Sequence, residues 1–578
     1  MSMSKRLPRR RAAALARFIG RRFLRREDGS MLVLGLFVFM IMLMAGGIAI
    51  DAMRAETMRS ELQSTLDRSV LAAANLDQPQ DAKGVVMDYF DRAGLSEFLD
   101  TDSIAVETST AGGQVSYRKV TAQAAATLDT IFMPVLGFET IATAAGGSAE
   151  EGVTDVEISL VLDVSGSMGR ASASGRSKIK ELQDAAKDFG WYMLCDPNGT
   201  PGTGSCSIAP GSVSMSIIPY AEQVSAGETL LDRIDVPAAG DSYPAALDRY
   251  DITEEHQNSS CLTFDGADFG TTALSISDDV KRTGHFDPWS YYRYSPRYWT
   301  CRTESWRDIR PYVGHHSNVN YIIGNLRAGG NTSIDVGMKW GTALLDPEVR
   351  PVIESLSSDE RTGGAPATEP DFTGRPFDYG QRNTLKVIVL MTDGMNTSQH
   401  YLLDNYRSGM SEVYRNTARS DRFSVYHPPS GQYYYTHDGS WHDAPYGEID
   451  GVTECSYTWW GGYTCQTVDQ PGSGVQMTYQ EVWETFPTDW YERFSWLNRP
   501  VAWWGRSTKD QRTAAICDAA KDQGIIVYTI GFEAPSQGDA VLQDCATTPS
   551  YYFDADGLNI SEIFGTIASS INTLRLVE

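Results

Sequence analysis

The sequence predicts an α/β protein. Its core is a doubly wound, mostly parallel sheet with large insertions, preceded by one N-terminal transmembrane helix and a small α+β domain. Three observations lead there. Short, nearly unbroken apolar runs recur after Asp155 and are separated by helical stretches, as in strands covered on both faces. A twenty-residue uncharged segment, Met31 to Ile50, stands near the N-terminus. Between the two, residues 79–152 show a helical stretch followed by strand-like runs.

The apolar segment MLVLGLFVFMIMLMAGGIAI is long enough as a helix to cross about 30 Å of hydrocarbon. Residues 1–29 form a basic tail, with ten Lys/Arg and no acid within residues 1–26. That bias predicts a single-pass protein of the inner membrane, its N-terminus cytoplasmic and its bulk extracytoplasmic, in the periplasm or cell envelope. A cleaved signal peptide is the alternative, but no A-x-A site follows promptly and Asp51 opens a charged helix instead. Of the formal charge of −25, the ten basic residues of 1–26 leave −35 on everything after residue 26. So acidic an ectodomain repels nucleic acid, which is excluded as a partner.

Residues 51–78 continue as a membrane-proximal helix without Gly or Pro, with Met58, Leu62, Leu66, Val70 and Leu71 at helical spacing. This stripe is expected to be a packing face. In the small domain, residues 81–94 read as a helix, 103–109 and 114–126 as strands, and Gly112-Gly113 as the turn between them.

The third part, residues 153–578, holds the strand candidates 156–163, 213–220, 385–393 and 525–532, with intervening helices at 178–194, 333–345 and 511–524. Right-handed crossovers give a sheet whose ligands sit beyond the carboxyl ends of its strands. Two stretches break the rhythm, about 226–317 and 397–509. The second holds eight of the thirteen tryptophans, and loops of that length are expected to be ordered insertions. Their aromatics supply either a core or a ligand platform, the core being the ordinary role. All eight cysteines follow the apolar segment, consistent with disulfides in an exported chain. Eight cysteines allow 105 pairings; proximity favours 195–206, 261–301, 455–465 and 517–545. Zinc is the competing reading, without a C-x-x-C pair to support it.

At the end of the first buried strand stands Asp163-Val-Ser165-Gly-Ser167, entering a helix through a sharp turn. Asp393 ends a second apolar strand, and Thr332 lies in a Gly-rich loop leading into a helix. Three hydroxyls and two carboxylates are hard oxygen donors suited to Mg²⁺, with Mn²⁺ or Ca²⁺ also admissible, and so few charged ligands leave an open position. A carboxylate from a partner protein could fill it. Capping a helix is the alternative role of a single Asp-Ser pair, but capping needs one such segment and here there are three. An enzyme is not expected, because Ser165 and Ser167 have no His at a telling position and no G-x-S-x-G, Walker A or dinucleotide pattern occurs.

These five residues resemble the metal-ion-dependent adhesion site of von Willebrand A domains. The resemblance implies that Ser165, Ser167 and Thr332 coordinate the ion directly or nearly so. It implies that Asp163 and Asp393 act largely through water, and that an acidic residue of the ligand completes the shell. The order of basic tail, apolar span, charged helix with LDRSVLAAANL, small domain and disulfide-bearing A domain is similar to the TadG-like proteins of tight-adherence (Flp) pilus systems. Segments 332–347, 387–397 and Cys517–Cys545 add to it; the insertions do not. It implies support of pilus assembly or anchorage, with pilus or envelope components as partners. A general envelope adhesin or sensor is the alternative. Leu34 stands where substrates of the prepilin peptidase usually carry Glu, so cleavage at Gly29-Ser30 is not expected.

Overall fold

The computed structural model describes residues 30–578 apart from 76, 77, 79, 112, 113, 153, 154, 198, 205, 236–248, 254, 359–367, 382 and 578. The basic tail and the Gly112-Gly113 turn lie outside the described residues. The chain forms two compact units, divided between Gly152 and Val153.

In the first unit one helix, α1 (Ser30–Ala74), carries the apolar segment and its charged continuation without a break. Its two halves have different surroundings. From Met31 to Leu43 every large apolar side chain is exposed within the chain, and α1 is long and apolar enough to cross a membrane. Further along, Leu62, Leu66, Val70 and Ala73 are buried against α2 (Ala82–Ala93) and a three-stranded antiparallel sheet of β1 (Leu99–Ala111), β2 (Gln114–Asp129) and β3 (Thr140–Gly152). The stripe therefore packs on its own unit. Leu71, expected on that face, is 68% exposed because it follows Val70 by a single 100° step around the helix. Helix and sheet approach closely because the facing strand residues are small, Ala122, Ala124, Ala126 and Ala145. A Cβ on Gly147 would already lie 3.3 Å from Leu66. Asp81 caps α2 by accepting from the Gly84 N–H, and Gly94 ends it at φ 72°, left-handed backbone that glycine adopts freely.

The second unit is built on a six-stranded sheet. In chain order its strands are β4 (Asp155–Asp163), β5 (Val213–Tyr220), β6 (Arg310–Val313), β7 (Thr384–Thr392), β8 (Ile526–Phe532) and β9 (Tyr552–Ala555). In space they run β9-β8-β7-β4-β5-β6, all parallel except the antiparallel edge β6. The chain proceeds outward from β4 through β5 and later returns to lay β7 on the other side, so the connections diverge at the carboxyl end of β4.

Alternate residues of the central strands feed two cores. On one face Ile158, Leu160, Leu162, Val387 and Val389 meet α3 (Lys178–Leu194), α4 (His316–Gly324) and α8 (Ile560–Val577). On the other, Val161, Ile218, Ile388 and Leu390 meet α5 (Ile334–Ala343), α6 (Arg506–Asp522) and α7 (Ser536–Cys545). Gly337 and Gly341 let α5 lie flat on β4 and β5; a Cβ at either would press to within 2.8 Å of Tyr220 or 2.7 Å of Val161.

Part of the first expected insertion belongs to the main sheet. β6 lies inside 226–317, and Leu230, Leu231 and Ile234 of the helix Glu228–Ile234 sit in the same core as α5. A four-residue edge strand carrying Pro311 gives no apolar run to read. The second insertion contains a five-stranded antiparallel sheet. Its own core is aromatic, with Trp483, Phe486, Trp490, Tyr491 and Phe494 joined by Phe286 of the first insertion. The aromatics thus divide in role: Trp483 and Trp490 fill this core, while Trp459 and Trp460 at a hairpin tip are 87% and 91% exposed. Disulfides join Cys195–Cys206, Cys261–Cys301 and Cys517–Cys545, and the hairpin register sets Cys455 opposite Cys465.

A buried ion pair fastens the amino-terminal edge of the sheet. Lys386 Nζ lies 2.5 Å from Glu157 Oε2 and donates to the Leu345 carbonyl at 2.9 Å, while Glu157 Oε1 accepts from the Phe377 N–H. Glu157→Ala leaves a buried ammonium unpaired and is expected to destabilise the protein by about 3–5 kcal/mol. The urea-unfolding midpoint measures this, and Glu157→Met with Lys386→Met should recover most of the loss; a double variant no better than the single one refutes the account.

Candidate metal centre

β4 and β7 deliver two carboxylates to the same edge. Asp163, fully buried, is held on both oxygens: Oδ1 accepts from the Ser165 N–H at 2.7 Å and Oδ2 from Thr392 Oγ1 at 2.6 Å. The first bond bends the chain back over the strand end, into a single 3-10 turn at Gly166–Gly169. That turn directs both serines inward. Ser165 Oγ lies 3.0 Å from Ser167 Oγ, and Ser167 Oγ donates to Asp393 Oδ1 at 2.6 Å.

Thr332 arrives from the loop before α5. That loop is laced to the serine turn, the Gly166 N–H donating to the Gly330 carbonyl and the Gly329 N–H to the Val164 carbonyl, each at 2.8 Å. Gly330 takes φ 105°, and a Cβ there would press on Ala221. Thr332 is held on its other side by Thr397, whose N–H donates to the Thr332 carbonyl while its Oγ1 accepts from the Thr332 N–H. Seen from Gly394, the hydroxyls of Thr332 and Ser167 are equidistant, each 3.9 Å from where a Cβ would stand. All five residues singled out in the sequence therefore meet at one place. A Cβ on Gly538 of α7 would overlap the Gly394 carbonyl, so this wall is tightly packed.

Burial pushes the Asp163 carboxyl up to about 7, and the negative charge of Asp393 adds to the effect. Asp393 Oδ2 is buried and is met by the Lys178 ammonium at 3.2 Å. Lys178 is itself aimed there by the carbonyls of Phe532 and Glu533 and by the Glu533 carboxylate at 3.6 Å. The donor set fits a hard divalent cation, since every candidate donor is a hydroxyl or carboxylate oxygen; at Asp393 Oδ2 such an ion would compete with the Lys178 ammonium. Among the described residues no three His, Cys, Asp or Glu side chains gather, so an ion here depends on the hydroxyls. The edge is open to solvent, Gly166, Gly169 and Gly330 being exposed and Ser167 half-buried.

Sequence reasoning missed three charged groups, Lys178, Glu533 and Glu222. Glu222 lies just past β5 and is 4% exposed. Its Oε1 accepts from the His400 N–H at 3.0 Å and its Oε2 from Trp289 Nε1 at 3.1 Å, so one carboxylate ties both insertions to the sheet. Beside it a cavity of about 240 Å³ opens between Trp289, Trp299, Arg302, Arg307 and the Gly329–Asn331 loop. The buried amide of Gln223 lines it and has no hydrogen-bond partner among the described residues. A position just beyond the carboxyl end of a parallel strand is the one signal that pointed to Glu222.

Asp163 gives a signed expectation for the protein in chelator. Its folded-state value stands above the ordinary 3.8, so the folded form holds a proton that the unfolded form has released. The associated stability is fully present below about pH 4 and is lost as pH rises towards about 7. Asp163→Asn should flatten that decline in unfolding free energy measured by urea titration between those limits; an unchanged slope refutes it.

The family model described as putative Flp pilus-assembly TadE/G-like matches residues 29–76. Comparison with curated proteins gives no match. Among solved structures, the vWF domain of the type V pili tip protein Mfa5 from Porphyromonas gingivalis is 14% identical, covering 73% of this chain and 97% of that one, with a TM-score of 0.28. The pilus adhesin SpaC from Lactobacillus rhamnosus GG is 11% identical at a TM-score of 0.27, covering 81% of this chain, which spans about a third (34%) of SpaC. The PilB minor pilin from Streptococcus sanguinis is 13% identical at 0.26, with coverages of 81% and 77%. Scores this low carry no argument about function. It is through residues 29–76, the apolar helix and its charged continuation, that the chain resembles the TadE/G-like proteins of Flp pilus assembly.

Proposed function

We propose that this chain is a single-pass envelope protein supporting Flp pilus assembly or anchorage, and that its doubly wound, von Willebrand A-type unit docks a partner's carboxylate through a divalent cation. The N-terminus is then cytoplasmic, and the part of the first unit beyond the span and the whole second unit are extracytoplasmic, in keeping with the basic tail and with disulfides placed only beyond the span. The pilus role is supported by the family match over residues 29–76.

One observation carries the cation reading: hydroxyls and carboxylates from three distant segments meet at the open carboxyl edge of the sheet, with Ser165, Ser167 and Asp393 in a continuous hydrogen-bonded chain. Ser165, Ser167 and Thr332 would hold the ion and Asp393 would balance its charge. Asp163, engaged on both oxygens, orients the turn. Mg²⁺ is the favoured ion, with Mn²⁺ or Ca²⁺ as substitutes; it supplies a hard positive charge with room for a carboxylate oxygen from outside. No proton transfer or bond cleavage is called for, and the residues act by positioning.

Calorimetric titration of the full chain in nanodiscs with MgCl₂ should give saturable heat that Ser165→Ala and Asp393→Ala abolish; equal heats from all three proteins sink the cation reading. Deleting the gene should abolish or strongly reduce surface pili. Normal piliation would transfer the protein to the alternative class of envelope adhesins or sensors.

A further inference from the structure

The turn joining β2 to β3, residues 131–138 (IFMPVLGF), is apolar from end to end yet contributes nothing to the core of its unit. Ile131 is 61% exposed, Phe132 43%, Val135 78%, Leu136 47% and Phe138 58%. Five large apolar side chains grouped on one eight-residue turn are not the scattered exposure of an ordinary surface. The turn is also firmly shaped. Its base is closed by Thr130, whose N–H donates to the Glu139 carbonyl and whose Oγ1 donates to the Phe138 carbonyl, and Met133–Leu136 form a 3-10 turn with Pro134 in its first two residues.

What holds this turn is α1, at the point where the apolar segment ends. Asp51, 3% exposed, accepts the backbone N–H groups of Ile131, Phe132 and Met133 at 3.0, 2.7 and 2.9 Å. Gly47 gives Phe132 its seat, since a Cβ there would fall 2.6 Å from the Phe132 ring. Gly47 lies within the uncharged segment, about 5 Å along the helix from its last residue. The turn is therefore level with the last helical turn that the bilayer would enclose. Behind it the character reverses: Arg54 lies 3.8 Å from Asp51 and donates to the Asp129 carbonyl, and Glu139 is exposed.

We propose that residues 131–138 are a second, non-spanning membrane contact, immersed in the interfacial layer beside the helix and fixing the first unit at the bilayer surface. The occupant of this apolar face is lipid, because the face is continuous with the apolar segment of α1. The chemistry is that of an amphipathic interfacial element, apolar side chains entering the headgroup–acyl boundary while charged groups stay in water. Asp51 makes it possible: its carboxylate satisfies three backbone donors that would otherwise be unpaired at that depth.

The inference rests on α1 lying in a bilayer, and the experiment separates the two. No free cysteine occurs among the described residues, so an environment-sensitive fluorophore can be attached through Val135→Cys, with Phe37→Cys in the span and Glu107→Cys on the sheet as references. In full-length protein reconstituted in phosphatidylcholine–phosphatidylglycerol nanodiscs, the probe at position 135 should be blue-shifted and quenched by lipids spin-labelled high on the acyl chain, and the probe at 107 should be neither. Quenching at 37 with water-like, unquenched emission at 135 overturns the proposal alone; no quenching at 37 overturns it together with the membrane-spanning reading. A probe at 135 that is blue-shifted without lipid quenching, accompanied by Val135→Cys crosslinks between two chains, also overturns it and assigns the face to a second copy.

Discussion

Asp163 ends the central strand of the sheet with its carboxyl group wholly enclosed, where an ionised oxygen without donors would cost several kcal/mol. The Ser165 N–H and the Thr392 hydroxyl meet that need, and in doing so they fix much else. Ser165 can reach Asp163 only if the chain folds straight back over the strand, which turns two serine hydroxyls towards β7. Thr392 can reach it only if β7 pairs beside β4 in the register that leaves Asp393 one residue further out. The Gly329–Gly330 loop then closes against the same turn by backbone hydrogen bonds and brings Thr332 with it. The constellation is the outcome of one buried carboxylate finding its donors. It also explains why the edge holds two acids close together without an exposed face for either, a charge arrangement that favours a cation from Lys178 or from solution.

The first unit answers a different problem. A single helix passes from exposed apolar surface to conventional packing within a few residues, and the change falls near Gly47 and Asp51. Before that point the outward residues are large and apolar; beyond it they are mostly polar or charged, and the inward ones rest on an alanine-lined sheet. The small strand residues shape this contact as much as the leucines do. They let the helix lie low enough on the sheet for Leu62, Leu66 and Val70 to disappear from water.

Much of this was legible in the sequence, for identifiable reasons. Buried parallel strands are continuous apolar runs, so 213–220 was read to the residue and the other three long strands to within one residue at either end. β6 and β9 escaped because four-residue edge strands carry no such run, and β6 includes a proline. The third strand of the small unit, β3, escaped because TIATAAGGSAEEG is made mostly of small residues and gives too little hydrophobic contrast. At the site, Asp163, Ser165, Ser167, Thr332 and Asp393 could be named because each stands at a strand end or helix entrance within three residues of a glycine. Lys178, Glu222 and Glu533 could not. Their roles depend on which distant segment the fold places opposite them, and Lys178 in particular reads as an ordinary first residue of an amphipathic helix.

Glu222 carries an implication about time. Its carboxylate is buried between a tryptophan 67 residues later and a histidine 178 residues later. A chain made from its N-terminus at about 5–20 residues per second therefore completes this clasp some 10–35 s after Glu222 itself has been made. During that interval the acid is matched on one side at most, and the first insertion has no second insertion to rest against. The cleft beside the sheet edge accordingly takes its shape only after β7 has been made, and a chain stopped before His400 would carry the strand end of Asp163 but not the rim that frames it.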